Sequence, residues 1–172
     1  AAVNGEVFRD DEGIFTKYRN MLMEYYPKAV WYRKIAQTCA LFSQNGQYNL
    51  PRMRMRGQVV AAELAKAECA KQAMKLYYLL NRKYAPHDKW LFKGMPENPQ
   101  MTIHEEGMEQ LGVAQLVEKI SLLPVDQEHE LELTTAVESL AVIFANEFEK
   151  RDMVGKCGLY LDDCTKELTA KS

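Results

Sequence analysis

The signatures of the common phosphate- and acyl-transfer sites are missing from this chain. There is no GxxxxGK[ST] loop, no GxSxG turn and no HExxH pair. Cysteine is sparse. Cys39, Cys69, Cys157 and Cys164 form no CxxC pair, and His87, His104 and His129 stand at no ligand spacing from them or from one another, which argues against a zinc site. The acidic doublets Asp10-Asp11 and Asp162-Asp163 are adjacent rather than alternating, so neither aims two strand carboxylates at one metal. They read as a helix cap and a helix start. No metal ligand and no catalytic residue is therefore named. No signal peptide, long apolar run, internal repeat or low-complexity tract is present. The reading is a chain without a membrane segment, in a reducing cytoplasm, with its cysteines as free thiols in the core.

What the chain does have is apolar content and a charge asymmetry. Hydrophobic residues make up 47% of 172, enough for a sizeable core. The net charge of −2 conceals opposed halves: residues 1–95 carry 16 Lys/Arg and 8 Asp/Glu, residues 96–172 carry 6 and 16. Either the halves fold onto each other, or the first presents a basic surface to a nucleotide or nucleic acid.

Periodicity predicts an all-α fold: an antiparallel bundle of five or six helices, one about 30 residues long, behind a short N-terminal extended segment. Gly5 to Phe8 is β-like but has no partner strand. Asp10 or Asp11 caps a first helix with Phe15, Tyr18, Met21, Leu22 and Tyr25 at helical spacing, ended by Pro27. A second helix is predicted over about 28–44 with Gly46 as its stop, and a third, the longest, from Pro51 to about Tyr84 with a bend near Gly57. Two more follow over about 104–123 (Met108, Leu111, Val113, Leu116 and Ile120 as core) and 127–152 (Leu131, Leu133, Val137, Leu140, Ile143, Phe144, Phe148), then a short terminal helix.

Two polar clusters stand out. In "GQYNLPRMRMRG", a continuous helix places Arg52 and Arg56 on one face and Arg54 opposite, because residues two apart point about 200° from each other. That face continues through Val59, Val60, Glu63, Ala67, Ala70 and Met74. Arginines and a carboxylate on an apolar stripe need partners. They form either an interhelix salt bridge or the lining of an anion pocket. The second cluster, "YLLNRKYAPHDKWLFKG", offers Asn81, Arg82, Lys83, Tyr84, His87, Lys89, Trp90 and Lys93. Cations there offset a helix C-terminus, or, interleaved with aromatics, suit a nucleobase and its phosphates.

The segments "AVNGEVFRDDEGIFTKYRNMLMEYYP", "GQYNLPR", "AAELAKAE" and "LLNRKYAPHDKWLFK" resemble the C-terminal half of bacterial nucleotidyltransferase-like proteins that carry domain of unknown function 4037. The resemblance covers about residues 2–95. It implies a preceding nucleotidyltransferase-fold domain whose Gly-Ser turn and alternating acids bind Mg²⁺ and a nucleoside triphosphate. This chain has neither feature. Residues 1–11 would then be the linker or tail of that absent domain, and 12–172 the helical bundle. The chain, which starts Ala1-Ala2, would be a fragment or a stand-alone version of the helical part, inactive alone, closing over its partner's active site. The positions that the resemblance marks for a small-molecule or nucleotide ligand are Gln47, Tyr48, Asn49, Arg52, Arg56, Glu63, Asn81, Arg82, Tyr84, Lys89 and Trp90.

Two other classes compete. A ribonuclease bundle of the HEPN type would use Arg82 and His87 in "RKYAPH", the histidine as acid/base and the arginine on phosphate. A purely structural bundle, such as a homodimer, would use only the apolar stripes.

Overall fold

A computed structural model describes residues 3–103, 110–158 and 160–172. Residues 3–10 form no strand, and Phe8 is 94% exposed. Asp10 caps α1 (Ile14–Met23), accepting from the Thr16 backbone N–H at 2.7 Å and from that of Phe15 at 3.3 Å. The apolar face of α1 is left open: Ile14, Phe15, Tyr18, Met21 and Leu22 are all exposed, as is Met23 on the other side, and α1 buries no residue.

The long helical run lies earlier than the sequence pattern placed it. α2 (Lys28–Phe42) continues through a π-helical segment (Ser43–Asn49) into α3 (Leu50–Met55), 28 residues in all. Gly46 is therefore not a stop. It is buried because a helix passes it closely: a Cβ there would lie 2.3 Å from Cys69 Sγ and 3.0 Å from Val137 Cγ1. Pro51 sits inside the run and is tolerated beside the widened turn, where the Leu50 N–H already reaches back five residues to the Asn45 carbonyl.

The break comes at Gly57, in left-handed geometry (φ 66°). The Gly57 N–H donates to the Arg54 carbonyl and the Gln58 N–H to that of Met53, the paired bonds of a glycine-ended helix. α4 (Val59–Leu80) then runs back along α2 and forms the centre of the molecule. It ends in the same bond pattern, with Arg82 (φ 53°) where glycine is usual: the Arg82 N–H donates to the Leu79 carbonyl and the Lys83 N–H to that of Tyr78.

A turn at Asp88–Trp90 packs on α4 through the Tyr78 hydroxyl, which donates to the Leu91 carbonyl at 2.9 Å. β1 (Thr102–Ile103) pairs antiparallel with β2 (Leu111–Gly112), so within the helix predicted over about 104–123 residues 111–112 are strand, and α5 (Val113–Leu122) starts only after them. The Gln115 side chain accepts from the Gly112 N–H at 2.8 Å and closes the first turn of α5. Met108 lies outside the described residues. α6 (Glu130–Lys150) buries Leu133, Val137, Leu140, Ile143, Phe144 and Phe148 as expected, but Leu131 points outward, 80% exposed. A 3-10 turn (Leu161–Cys164) leads into α7 (Thr165–Ala170), which packs on α2.

The core is one cluster joining α2, α4, α5, α6 and α7; Phe42 and Phe144 meet edge to face at 6.0 Å within it. Cys39 and Cys69 are free, buried thiols, and burial raises both pKa values. The expectation of four free thiols is corrected at the other two: Cys157 and Cys164 form a disulfide. No helix among the described residues is long and apolar enough to cross a membrane.

Candidate functional site

The arginine stripe does not survive the break at Gly57. Arg56 is exposed at the end of α3, while Glu63 lies on α4 and pairs with Lys66 at 2.8 Å. Arg54, expected opposite the important face, is the buried one, its side chain 5% exposed. Its Nη2 donates to the Asp126 carbonyl at 2.9 Å and lies 3.3 Å from Glu130, while its Nε and Nη1 have no partner among the described residues. Arg52 stacks on Tyr48, with Cζ 4.6 Å from the ring centroid. Tyr48 lines a cavity of about 580 Å³ with Tyr160, Asp162 and Asp163. Asn49 is half-buried nearby.

Gln47 and Asn81 are structural ties. Gln47 is buried; its Oε1 accepts from Ser43 Oγ and from the Leu161 N–H, both at 2.9 Å, and its Nε2 donates to Glu138 at 2.8 Å. It joins the π-helical segment to α6 and to the C-terminal turn. Asn81 donates to the Tyr77 carbonyl and accepts from Asn98, each at 2.8 Å, holding the loop after α4.

The rest of the second cluster converges with a segment that sequence reasoning did not link to it. Tyr25 and Tyr26 precede α2, and Tyr84 follows α4. Their rings meet pairwise, at 4.7 Å for Tyr25–Tyr26 and 4.9 Å for each with Tyr84. The Tyr84 hydroxyl donates to the Leu22 carbonyl at 2.8 Å and the Tyr25 hydroxyl to that of Lys83 at 3.2 Å. Arg82 lies over Trp31, Cζ 3.8 Å from the ring centroid, and Trp31 Nε1 donates to the Leu79 carbonyl at 2.8 Å. Tyr25 (φ 73°) and Arg82 both hold left-handed backbone, a conformation that costs a non-glycine residue about 1–2 kcal/mol and persists where surroundings enforce it.

Tyr26 of this aromatic knot lines a cavity of about 390 Å³ between α2 and α4. Lys34 from α2, Lys75 from α4 and Lys83 beyond it line the cavity, with Tyr26, Gln37 and Gln72. No carboxylate lines it, and none of the three lysines has an ion-pair partner among the described residues. Lys34 Nζ stands 4.9 Å from the Tyr26 ring centroid. Burial and then the neighbouring Tyr84 raise the Tyr26 pKa, so this phenol stays neutral and able to donate. The Gln72 amide is engaged by Glu68, to which its Nε2 donates at 2.5 Å, so three ammonium groups, a phenol and the Gln37 amide are what the concavity offers an anion rich in oxygen acceptors.

The opposed charges of the two halves are not consumed by pairing. Among the described residues only Arg54–Glu130 joins a cation of residues 1–95 to a carboxylate beyond them. The basic surface is left open to solvent, and this cavity gathers part of it. Lys83 was visible in the sequence as part of the second cluster. Lys34 and Lys75 were not, because nothing in their local pattern reveals that α2 and α4 lie side by side.

A family model described as a domain of unknown function (DUF4037) matches residues 1–91. The chain belongs to this family. No curated protein and no solved structure matches it significantly. The DUF4037 region comprises α1 to α4 and the Asp88–Trp90 turn, so the whole lysine cavity lies within it, whereas α5 to α7 lie outside. Of the other expected positions inside the DUF4037 region, Lys89 and Trp90 are exposed on the turn beside the cavity, and so is His87. The His87 ring lies 3.5 Å from the Lys89 N–H, and the Arg82 guanidinium is occupied on Trp31. Among the described residues no three His, Cys, Asp or Glu side chains converge as a metal site would need.

Proposed function

We propose that the chain is the helical nucleotide- or substrate-binding part of a nucleotidyltransferase-like protein, and that the cavity between α2 and α4 takes the phosphates of its ligand. The observation that carries the reading is the set of three unpaired lysines, Lys34, Lys75 and Lys83, in one concavity with no carboxylate. None of the three forms a salt bridge among the described residues, so an anion would give each a direct partner, and Tyr26 supplies a hydroxyl that stays protonated at neutral pH.

In this reading the chain does not transfer a nucleotide by itself. Mg²⁺ and the reacting triphosphate are held by a nucleotidyltransferase-fold domain in the bacterial cytoplasm, with residues 1–11 as its link. The bare apolar face of α1 supports a protein partner of that kind. Five large apolar side chains on one face of an exposed helix form a surface that a monomeric domain rarely presents. The aromatic knot of Tyr25, Tyr26 and Tyr84 ties the end of α1 to one wall of the cavity, so docking at α1 would be felt there.

Isothermal titration with ATP, with and without Mg²⁺, tests the cavity. Binding that weakens about tenfold in Lys75→Ala and again in Lys83→Ala is expected, since a charge-assisted hydrogen bond contributes about 1.5–3 kcal/mol. No heat of binding, or binding indifferent to both substitutions, removes the reading.

A further inference from the structure

Trp90 has a setting that a phosphate site alone does not explain. The ring is 51% exposed, and Lys89 and Lys93 flank it with Nζ atoms 5.8 and 5.6 Å from the ring centroid. The other tryptophan, Trp31, is buried. The Trp90 turn is pinned to the stretch of α4 that walls the lysine cavity. Asp88 pairs with Lys71 at 2.9 Å, one helical turn before Lys75. Leu91 accepts from Tyr78, itself a cavity residue. Gly94 lets the chain close over that phenol, since a Cβ there would lie 2.9 Å from Tyr78 Oη. The exposed indole is therefore held beside the cavity on a braced turn.

Phosphate-binding lysines next to a cation-flanked, solvent-facing aromatic are the two parts of a single-strand nucleic-acid surface. The lysines follow the backbone, and the indole offers a face for any base. We infer that the ligand of the lysine cavity is a single-stranded polynucleotide, successive phosphates of which sit against Lys34, Lys75 and Lys83 while a neighbouring base stacks on Trp90. The inference rests on the phosphate reading of the cavity and names its ligand class. An acidic peptide would satisfy the lysines but gains nothing from the indole face.

The test uses the full chain and four probes: a ten-nucleotide ribo-oligomer, the deoxy-oligomer of the same sequence, ATP, and a poly-glutamate of equal charge. Tryptophan fluorescence is followed throughout. Either oligomer should bind more tightly than ATP and quench the Trp90 emission, and the preferred sugar names the strand. Trp90→Ala should weaken oligomer binding about tenfold, with Trp90→Phe in between. The log of the oligomer association constant should fall with log salt at a slope near −2 for three phosphates, about 0.7 shallower in Lys83→Ala. The quenching of the unaltered protein gives an answer even where a Trp90 variant fails to fold. Oligomers that bind no more tightly than ATP, without quenching, or as tightly to Trp90→Ala, overturn the inference and leave the nucleotide reading intact. Poly-glutamate binding as tightly as the oligomers overturns it as well. If no probe binds, both readings fall.

Discussion

Arg54 reaches from α3 to the backbone carbonyl of Asp126, 72 residues along the chain, at 2.9 Å, and is the most deeply buried of the three arginines around Met53 and Met55. Two of its guanidinium nitrogens have no partner among the described residues. Its partner carboxylate, Glu130, is half-exposed. Replacing a partly satisfied buried charge by an apolar side chain of similar length is often neutral or stabilising, because desolvation no longer opposes folding. Arg54→Met is expected to unfold within about 1 kcal/mol of the parent chain. Arg54→Ala leaves a void and should cost about 2–3 kcal/mol. Urea midpoints for the two variants check this; an equal loss in both shows that the ion pair itself stabilises the fold.

At Gly46 the prediction concerns packing. A methyl group would overlap Cys69 Sγ at 2.3 Å and press on Val137 at 3.0 Å, so α4 and α6 would both have to retreat. Gly46→Ala should destabilise the chain by about 1–3 kcal/mol. Were Gly46 merely an unpacked position inside a helix, alanine would be favourable through its helix propensity, and the sign of the change in denaturant midpoint distinguishes the two.

Asp126 and His129 form a titrating clasp before α6. The hydrogen bond to Asp126, at 2.7 Å from His129 Nδ1, raises the histidine above its ordinary 6.5, and the His129 backbone N–H holds Asp126 below its ordinary 3.8. The raised histidine stabilises the fold fully below 6.5, and that contribution is lost as pH rises through its folded value. The depressed aspartate contributes above 3.8 and is lost as pH falls through its folded value. The pair therefore helps most between these limits. The melting temperature of His129→Ala should lag that of the parent most near about pH 5, with the gap narrowing as pH rises through the raised folded value of His129. A gap that is flat across this range would show the clasp to be idle.

The disulfide between Cys157 and Cys164 closes a loop seven residues apart in sequence, and that loop carries Leu161, whose N–H is held by Gln47. Chain-entropy reasoning gives such a short loop about 2 kcal/mol. Thermal melts in the presence of a reductant, or of Cys157→Ser, should fall accordingly, while the buried Cys39 and Cys69 should resist thiol reagents in the native state. Early modification of either buried thiol would contradict the packing described.

How much was legible in advance varies with the distance over which each feature is decided. The helical class, the Asp10 cap and the buried face of α6 from Leu133 to Phe148 depend on neighbours within a turn or two, and the sequence alone determined them. Gly57 was legible only as a bend within one long helix; that the helix ends there follows from its left-handed φ and the paired bonds around it. Gly46 and Pro51 misled because both look like punctuation, and whether a glycine stops a helix or admits a neighbour depends on what packs there. Leu131 was misread for a related reason: periodicity marks a stripe but not how far the core extends along it. The lysine cavity was out of reach. Lys34 and Lys75 lie 41 positions apart on helices whose pairing is set by burial of their apolar faces, not by any property of the lysines. The meeting of Tyr25 and Tyr26 with Tyr84 is of the same kind. Local backbone preferences could be read one residue at a time, whereas the convergence of charges and rings had to wait for tertiary packing to bring remote positions together.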